Sequence, residues 1–425
     1  MKIDLFAAYI SLLEKELVPA LGCTEPIAVA YAAAKARKIL GRMPESMLVR
    51  CSGNIIKNVK GVKVPFAGEM RGIEASAILG VIGGDSDNQL EVLTNVSPED
   101  VEATQRLLGT GFCKVEKLSS NAPLHLIVRM TAGERSSEVE LRDGHTNIVR
   151  IVSNGEELFA HNAKAKDLEG EEAYYPPFSL TDILDFANNV DLAEVAPVID
   201  RQIEYNMRIA EEGLHNSYGA NVGRTILAQG NGSAESDARA YAAAGSDARM
   251  GGCVFPVVIN SGSGNQGIAV SLPVVQYARH HGVGHDQLVR ALLVSNLVAI
   301  YQKSELGTLS AFCGAVCAAT GSSAGIAYML DGRRHIIEKT ITNTIGNVAG
   351  IVCDGAKSSC AAKIATCVDA AILGYRMALF GNSFNDGEGL VKGNLDATFQ
   401  TIMKMGREGM HGTDEVILDL MLQDG

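Results

Sequence analysis

A chain of 425 residues is longer than one typical core, so two domains are expected. With 47% hydrophobic and 20% charged residues, 45 Gly and no Trp, it reads as a globular protein rich in small side chains. The net charge of −12, without any lysine- or arginine-rich run, argues against a nucleic-acid surface. Nine cysteines, an odd number scattered over a long chain, do not read as a disulfide framework. The first stretch, MKIDLFAAYISLLEKEL, carries Asp4 and Glu14 and lacks the apolar core of a signal peptide, so a reducing cytoplasm is the expected location.

In chain order, Leu5, Ile10, Leu12, Leu13 and Leu17 recur at helical spacing, and Pro19 ends the run. In ALGCTEPIAVAYAAAKARKIL, Thr24 is a suitable N-cap and Pro26 falls in the tolerant first turn, predicting a helix to about Leu40. Cys23 then stands just before a helix N-terminus, where a thiol can lose its proton more easily and aim into a cleft. A small residue packed at a helix corner is the plainer alternative.

From about residue 46 the period changes to strands: MLVRCSGNIIKNVKGVKVP, QLEVLTNVS, CKVEKLS, LHLIVRMTAG, SSEVELRDG and NIVRIVSNGEEL. Among them PEDVEATQRLLGTG, after Ser97, has the acids and terminal Gly of a helix. His125, His145 and His161 read as surface or strand residues, and residues 162–177 as a linker. The expected fold class is α+β: a mainly helical domain, begun by two helices in 1–43, interrupted by an inserted α+β domain at 44–177 and resumed over 178–425.

From Ser179 the pattern is helical, with amphipathic stretches FSLTDILDFANNV and LAEVAPVIDRQIEYNMRIAEEGL. SDAR occurs at 236–239 and again at 246–249, which puts Arg239 and Arg249 on one helix face. That face is either solvated or a place for a carboxylate. An apolar run then enters SGSGNQG (261–267), followed by an apolar helix containing Pro273. Glycines let backbone N–H groups converge on an anion. The spacing is not that of a phosphate-binding loop, so a small carboxylate is the candidate guest and a tight turn the alternative. His280, His281 and His285 suit a helix C-terminus without a metal. The 25 uncharged residues between Glu305 and Asp331 reach bilayer length. Ser310, Thr320, Ser322, Ser323 and the glycines favour instead a buried helix with a Gly-Ser turn at 321–323.

Cys313, Cys353 and Cys360 read as three thiolate ligands of a 4Fe–4S cluster with one iron left open. Seven residues of unbroken helix would separate two Cα atoms by about 10 Å. The Asp354–Gly355 pair between Cys353 and Cys360 lets the chain double back, and Ser358 can cap a helix whose first turn holds Cys360. Cys367 lies two turns further along that helix and is left out. The alternative is that Cys353, Cys360 and Cys367 mark one apolar face.

At LGCTEP, SGSGNQG, AFCGAVC and GIVCDGAKSSC together, the chain resembles the L-cysteine desulfidase family, related to the iron–sulfur L-serine dehydratases. The likeness runs over nearly the whole length. It implies a carbon–sulfur lyase of amino-acid catabolism that converts L-cysteine to sulfide, ammonia and pyruvate. It also implies a 4Fe–4S cluster on Cys313, Cys353 and Cys360, with Cys23 as the base. The dehydratases space their second and third ligands further apart than the seven positions here. Independently of the family, Ser261, Ser263, Gly264, Asn265 and Gln266 are the expected contacts for a small amino-acid substrate. L-serine or L-threonine dehydration by the same chemistry is the nearer competing reading. A cluster-free amino-acid-binding regulatory protein, sensing through its α+β domain, is the other. No membrane partner is expected, and a homo-oligomer is left open.

Overall fold

The computed structural model describes residues 5–120, 122, 124–160, 175–306 and 310–423. His161, most of the expected linker and residues 307–309 lie outside the described residues. The fold is α+β and dominated by helices. The described residues form two compact units, one of 5–19, 175–353 and 358–413, the other of 20–160, 354–357 and 414–423.

The first unit is helical. Its interior is built from Ala234–Met250, Gly264–His281, His285–Leu306, Gly314–Leu330 and Ser359–Leu379. Every residue from Ala315 to Met329 is buried, which explains why that stretch carries no charge. The expected turn at 321–323 is not there: the helix runs through it. Gly321 exists for packing, since a Cβ there would stand 2.4 Å from the carbonyl oxygen of Ser295. Ser322 and Ser323 satisfy their hydroxyls on the helix itself, donating to the carbonyls of Ala319 and Thr320. The N-terminal helix Leu5–Glu16 is fixed by aromatic rings: Tyr9 stacks on Phe178 at 5.8 Å and meets Phe186 edge-on at 5.3 Å. His280 and His281 close the helix Gly264–His281 as expected, whereas His285 opens the next one and bonds Asp200 at 2.7 Å.

The second unit carries a six-stranded sheet in the order Cys113–Lys117, Ser46–Cys51, His125–Ala132, Arg135–Arg142, Ile148–Ser153, Glu156–Ala160. The first pair is parallel and the rest antiparallel. His125 is tied into it, bonding Glu140 at 2.8 Å. The helix Thr24–Leu40, counted with the helical domain on sequence, is grouped here with the sheet. Ser137 in the strand donates to the carbonyl of Ala36 at 2.8 Å. Two expected strands are helical instead. After Ser46–Cys51 the chain turns into the helix Gly53–Val59, and QLEVLTNVS forms a 3-10 turn over Ser86–Glu91 followed by further turns. Residues 55–59 are buried in a row, as are Val92 and Leu93, so burial here does not alternate as it would along a half-buried strand. The helix Pro98–Leu107 is as expected, with Ser97 and Asp100 forming a reciprocal capping box.

Candidate active site

In the helical unit, the strand Pro256–Val258 leads into the glycine-rich loop, and Ser263 caps the helix Gly264–His281 by accepting from the Gln266 N–H. Asn260 and Ser263 exchange two backbone bonds of 3.1 Å, and Ser261 holds a left-handed φ of 49°. Buried amides set this geometry. Asn206 donates to the carbonyls of Val258 and Gly267 and accepts from the Val258 N–H at 2.9 Å. Asn260 donates to Asn296 at 2.9 Å, which in turn pairs with Gln202. These bonds hold the loop's backbone from the protein side. Yet several buried polar atoms in or against it have no hydrogen-bond partner: Asn265 Oδ1, Gln266 Oε1 and Arg249 Nε. Such atoms are costly unless something else satisfies them.

Gln266 reaches from the loop toward the cysteines. A Cβ on Gly314, the residue after Cys313, would stand 2.6 Å from the Gln266 Cδ. Cys313 is the N-cap of Gly314–Leu330, and Cys360 lies in the first turn of Ser359–Leu379. Ser358 sits at the cap position there, though no side-chain cap bond forms. Cys353 is brought alongside by an antiparallel bridge between Phe312 and Val352. Its N–H donates to Ala311 at 2.7 Å, and the N–H of Cys313 donates to Ile351 at 3.1 Å. Gly355, in the turn after Cys353, takes a φ of 95°.

None of the nine cysteines is in a disulfide, and Cys313, Cys353 and Cys360 are the three that are not fully buried. Burial pushes the Cys313 thiol well up, and negative charge on Cys353, Cys367 and Cys360 pushes it further. Cys367 is buried and raised to about 12. Lys303 is buried beside this group. Burial lowers its pKa, while Cys317, Cys353, Cys313 and Glu16 act in the opposite sense. Among the described residues no three His, Cys, Asp or Glu side chains close on a single metal-ion position. A multi-iron cluster keeps its thiolates further apart than a single ion does. The three partly buried thiols fit such a group in number, in softness as ligands and in their placement at two helix N-termini and one bridge.

Cys23 belongs to the other unit, where it is itself the cap residue of Thr24–Leu40, displacing the expected Thr24 by one position. Its thiol donates to Glu25 Oε2 at 3.0 Å. The Thr24 hydroxyl donates to the same oxygen at 3.1 Å, and Asn58 Nδ2 to Oε1 at 2.9 Å. All four side chains are buried. Glu25 and Lys303 escaped the sequence reading. Glu25 lies inside LGCTEP, where the thiol drew the attention, and Lys303 has only its place near the end of an apolar helix to mark it.

A family model described as serine dehydratase alpha chain matches residues 87–419. Among similar proteins, the UPF0597 protein of Lachnoclostridium phytofermentans is 53% identical over 418 residues, covering 98% of this chain and all of its own length. Those of Treponema denticola and Finegoldia magna are 47% and 45% identical, each across 98% of this chain and 98% and 99% of their own lengths.

Proposed function

The chain belongs to the serine dehydratase alpha-chain family, and from that premise we propose that it is an iron–sulfur-dependent L-cysteine desulfidase. The observation that carries the reading is that the three cysteines predicted as ligands are the three of the nine that are not fully buried. Cys313, Cys353 and Cys360 would hold a 4Fe–4S cluster. When bound, the cluster supplies an open iron as Lewis acid for the departing sulfur. The protein's own part is proton handling and orientation. Glu25 Oε2, already bonded to the Cys23 thiol, takes its proton, and the Cys23 thiolate takes the substrate's α-proton. Thr24 and Asn58 hold the carboxylate in place for that exchange. The electron pair of the Cα–H bond forms the Cα–Cβ double bond as the Cβ–S bond breaks and HS⁻ leaves. The aminoacrylate tautomerises to an imine, which water hydrolyses to pyruvate and ammonia. Ser261, Ser263, Gly264, Asn265 and Gln266 orient the amino acid. Nine cysteines without a disulfide suit a reducing cytoplasm, and no helix of the described residues is long and apolar enough to cross a membrane.

The family description supports a second reading, dehydration of L-serine or L-threonine by the same proton transfers with water as the leaving group. Purification without oxygen, followed by iron and acid-labile sulfide analysis, tests the cluster: about four of each per chain is expected. Sulfide and pyruvate from L-cysteine, against pyruvate from L-serine, then separate the two reactions. A protein that takes up no iron on anaerobic reconstitution sinks both.

A further inference from the structure

The glycine-rich loop lies over a buried arginine. Arg249 stands in the last turn of Ala234–Met250, is 3% exposed, and among the described residues makes no ion pair. Its twin, Arg239, is half-exposed and reaches Asp369 at 3.3 Å. The repeated SDAR thus holds two different arginines, one with an acidic partner and one buried without.

The position of the unpaired one is defined from the loop side. A Cβ on Gly264 would stand 2.3 Å from Arg249 Nε and 2.8 Å from Cζ. Glycine at 264 leaves the guanidinium directly against the first turn of the helix Gly264–His281, whose free N–H groups also favour an anion. Arg249 Nε has no hydrogen-bond partner, and neither has the Oε1 of Gln266, a side chain that is 5% exposed. A guanidinium removed from water without a counter-charge is strongly disfavoured. The helix C-terminus that carries Arg249 offsets part of this, and an anion would supply the rest.

We propose that Arg249 is the anchor for the α-carboxylate of the substrate, with the N-terminal turn at Gly264 completing the seat and Gln266 facing the amino group. The identity of the ligand as a small α-amino acid rests on the lyase reading above; the anion seat rests on the arginine and the loop. Guanidinium and carboxylate match in planar, two-point geometry, which an ammonium cannot reproduce.

Calorimetric titration of the cluster-free, full-length chain tests this with two probes. L-alanine has the α-carboxylate and amine but no leaving group; ethylamine lacks the carboxylate. Wild-type protein is expected to bind L-alanine and not ethylamine. Arg249→Gln is expected to weaken L-alanine binding on the order of 100-fold, and Arg249→Lys to restore only part of it. Gly264→Ala presses on the same guanidinium from the loop and is expected to weaken binding too, so the idea stays testable if Arg249→Gln does not fold. Wild-type protein that binds both probes equally, or neither, overturns the proposal, as does unchanged affinity in Arg249→Gln. Unchanged affinity in a variant that still releases sulfide removes the anchor and leaves the lyase reading intact. Carboxylate binding that needs Arg249, in a protein without elimination activity, does the reverse.

Discussion

Glu25 receives three hydrogen bonds, from Cys23, Thr24 and Asn58, and so stands as a fixed acceptor rather than a mobile surface acid. Glu25→Gln keeps the shape and removes the base. Turnover is expected to fall on the order of 100-fold or more, while iron content per chain stays at the wild-type level; measuring both in one preparation separates proton transfer from cluster loss. Asp247 gives a second test at this scale. Burial pushes its carboxyl up to about 6, although the Gly223 N–H holds one oxygen at 2.9 Å. An unfolded Asp titrates near 3.9. The folded state therefore holds its proton more tightly, and this favours folding below about pH 4 and is lost as pH rises through about 6. Asp247→Asn is expected to equal wild type in thermal stability near pH 4 and to exceed it at pH 8, by up to about 3 kcal/mol. Equal melting profiles at both pH values would contradict this.

Helices in the helical unit approach one another through residues without side chains. At Gly321 a methyl group would meet the backbone oxygen of Ser295, and backbone cannot rotate away. Gly321→Ala is expected to cost about 1–3 kcal/mol. Gly284→Ala, with nothing within 4 Å of the added Cβ, is expected to be near neutral in the same chemical denaturation series. These close approaches also explain how far the elements could be read from sequence. The helices Thr24–Leu40 and Pro98–Leu107 were legible because caps, first-turn acids and apolar periods are local signals. The glycine at 321 looked like a turn because a contact to another helix leaves no local trace. QLEVLTNVS misled for a related reason: Val92 and Leu93 are fully buried, yet in turns rather than a strand. In the helical unit, the candidate cysteines and the SGSGNQG loop stand out by residue type. Lys303 there, and Glu25 in the other unit, do not, because a lone charge shows its neighbours only once the chain has folded.

Across the whole molecule the nine thiols sort by depth. In metal-free protein, a thiol reagent is expected to modify Cys353 and Cys360 first, Cys313 more slowly because burial pushes its thiol up, and the six buried cysteines only on unfolding. Mass mapping of labelled sites reads this directly, and fast labelling spread over all nine would remove the distinction. The bridge between Phe312 and Val352 has a consequence for chain entropy. Cys353 and Cys360 are seven residues apart, while Cys313 is 40 positions from Cys353. Closing the longer loop costs about 1.5 kcal/mol more than closing the shorter one. Because two backbone hydrogen bonds and the surrounding helices already hold that loop shut, this cost falls on folding rather than on metal capture. On the proposed cluster, a chain with the bridge loosened is expected to keep all three cysteines and take up iron more weakly.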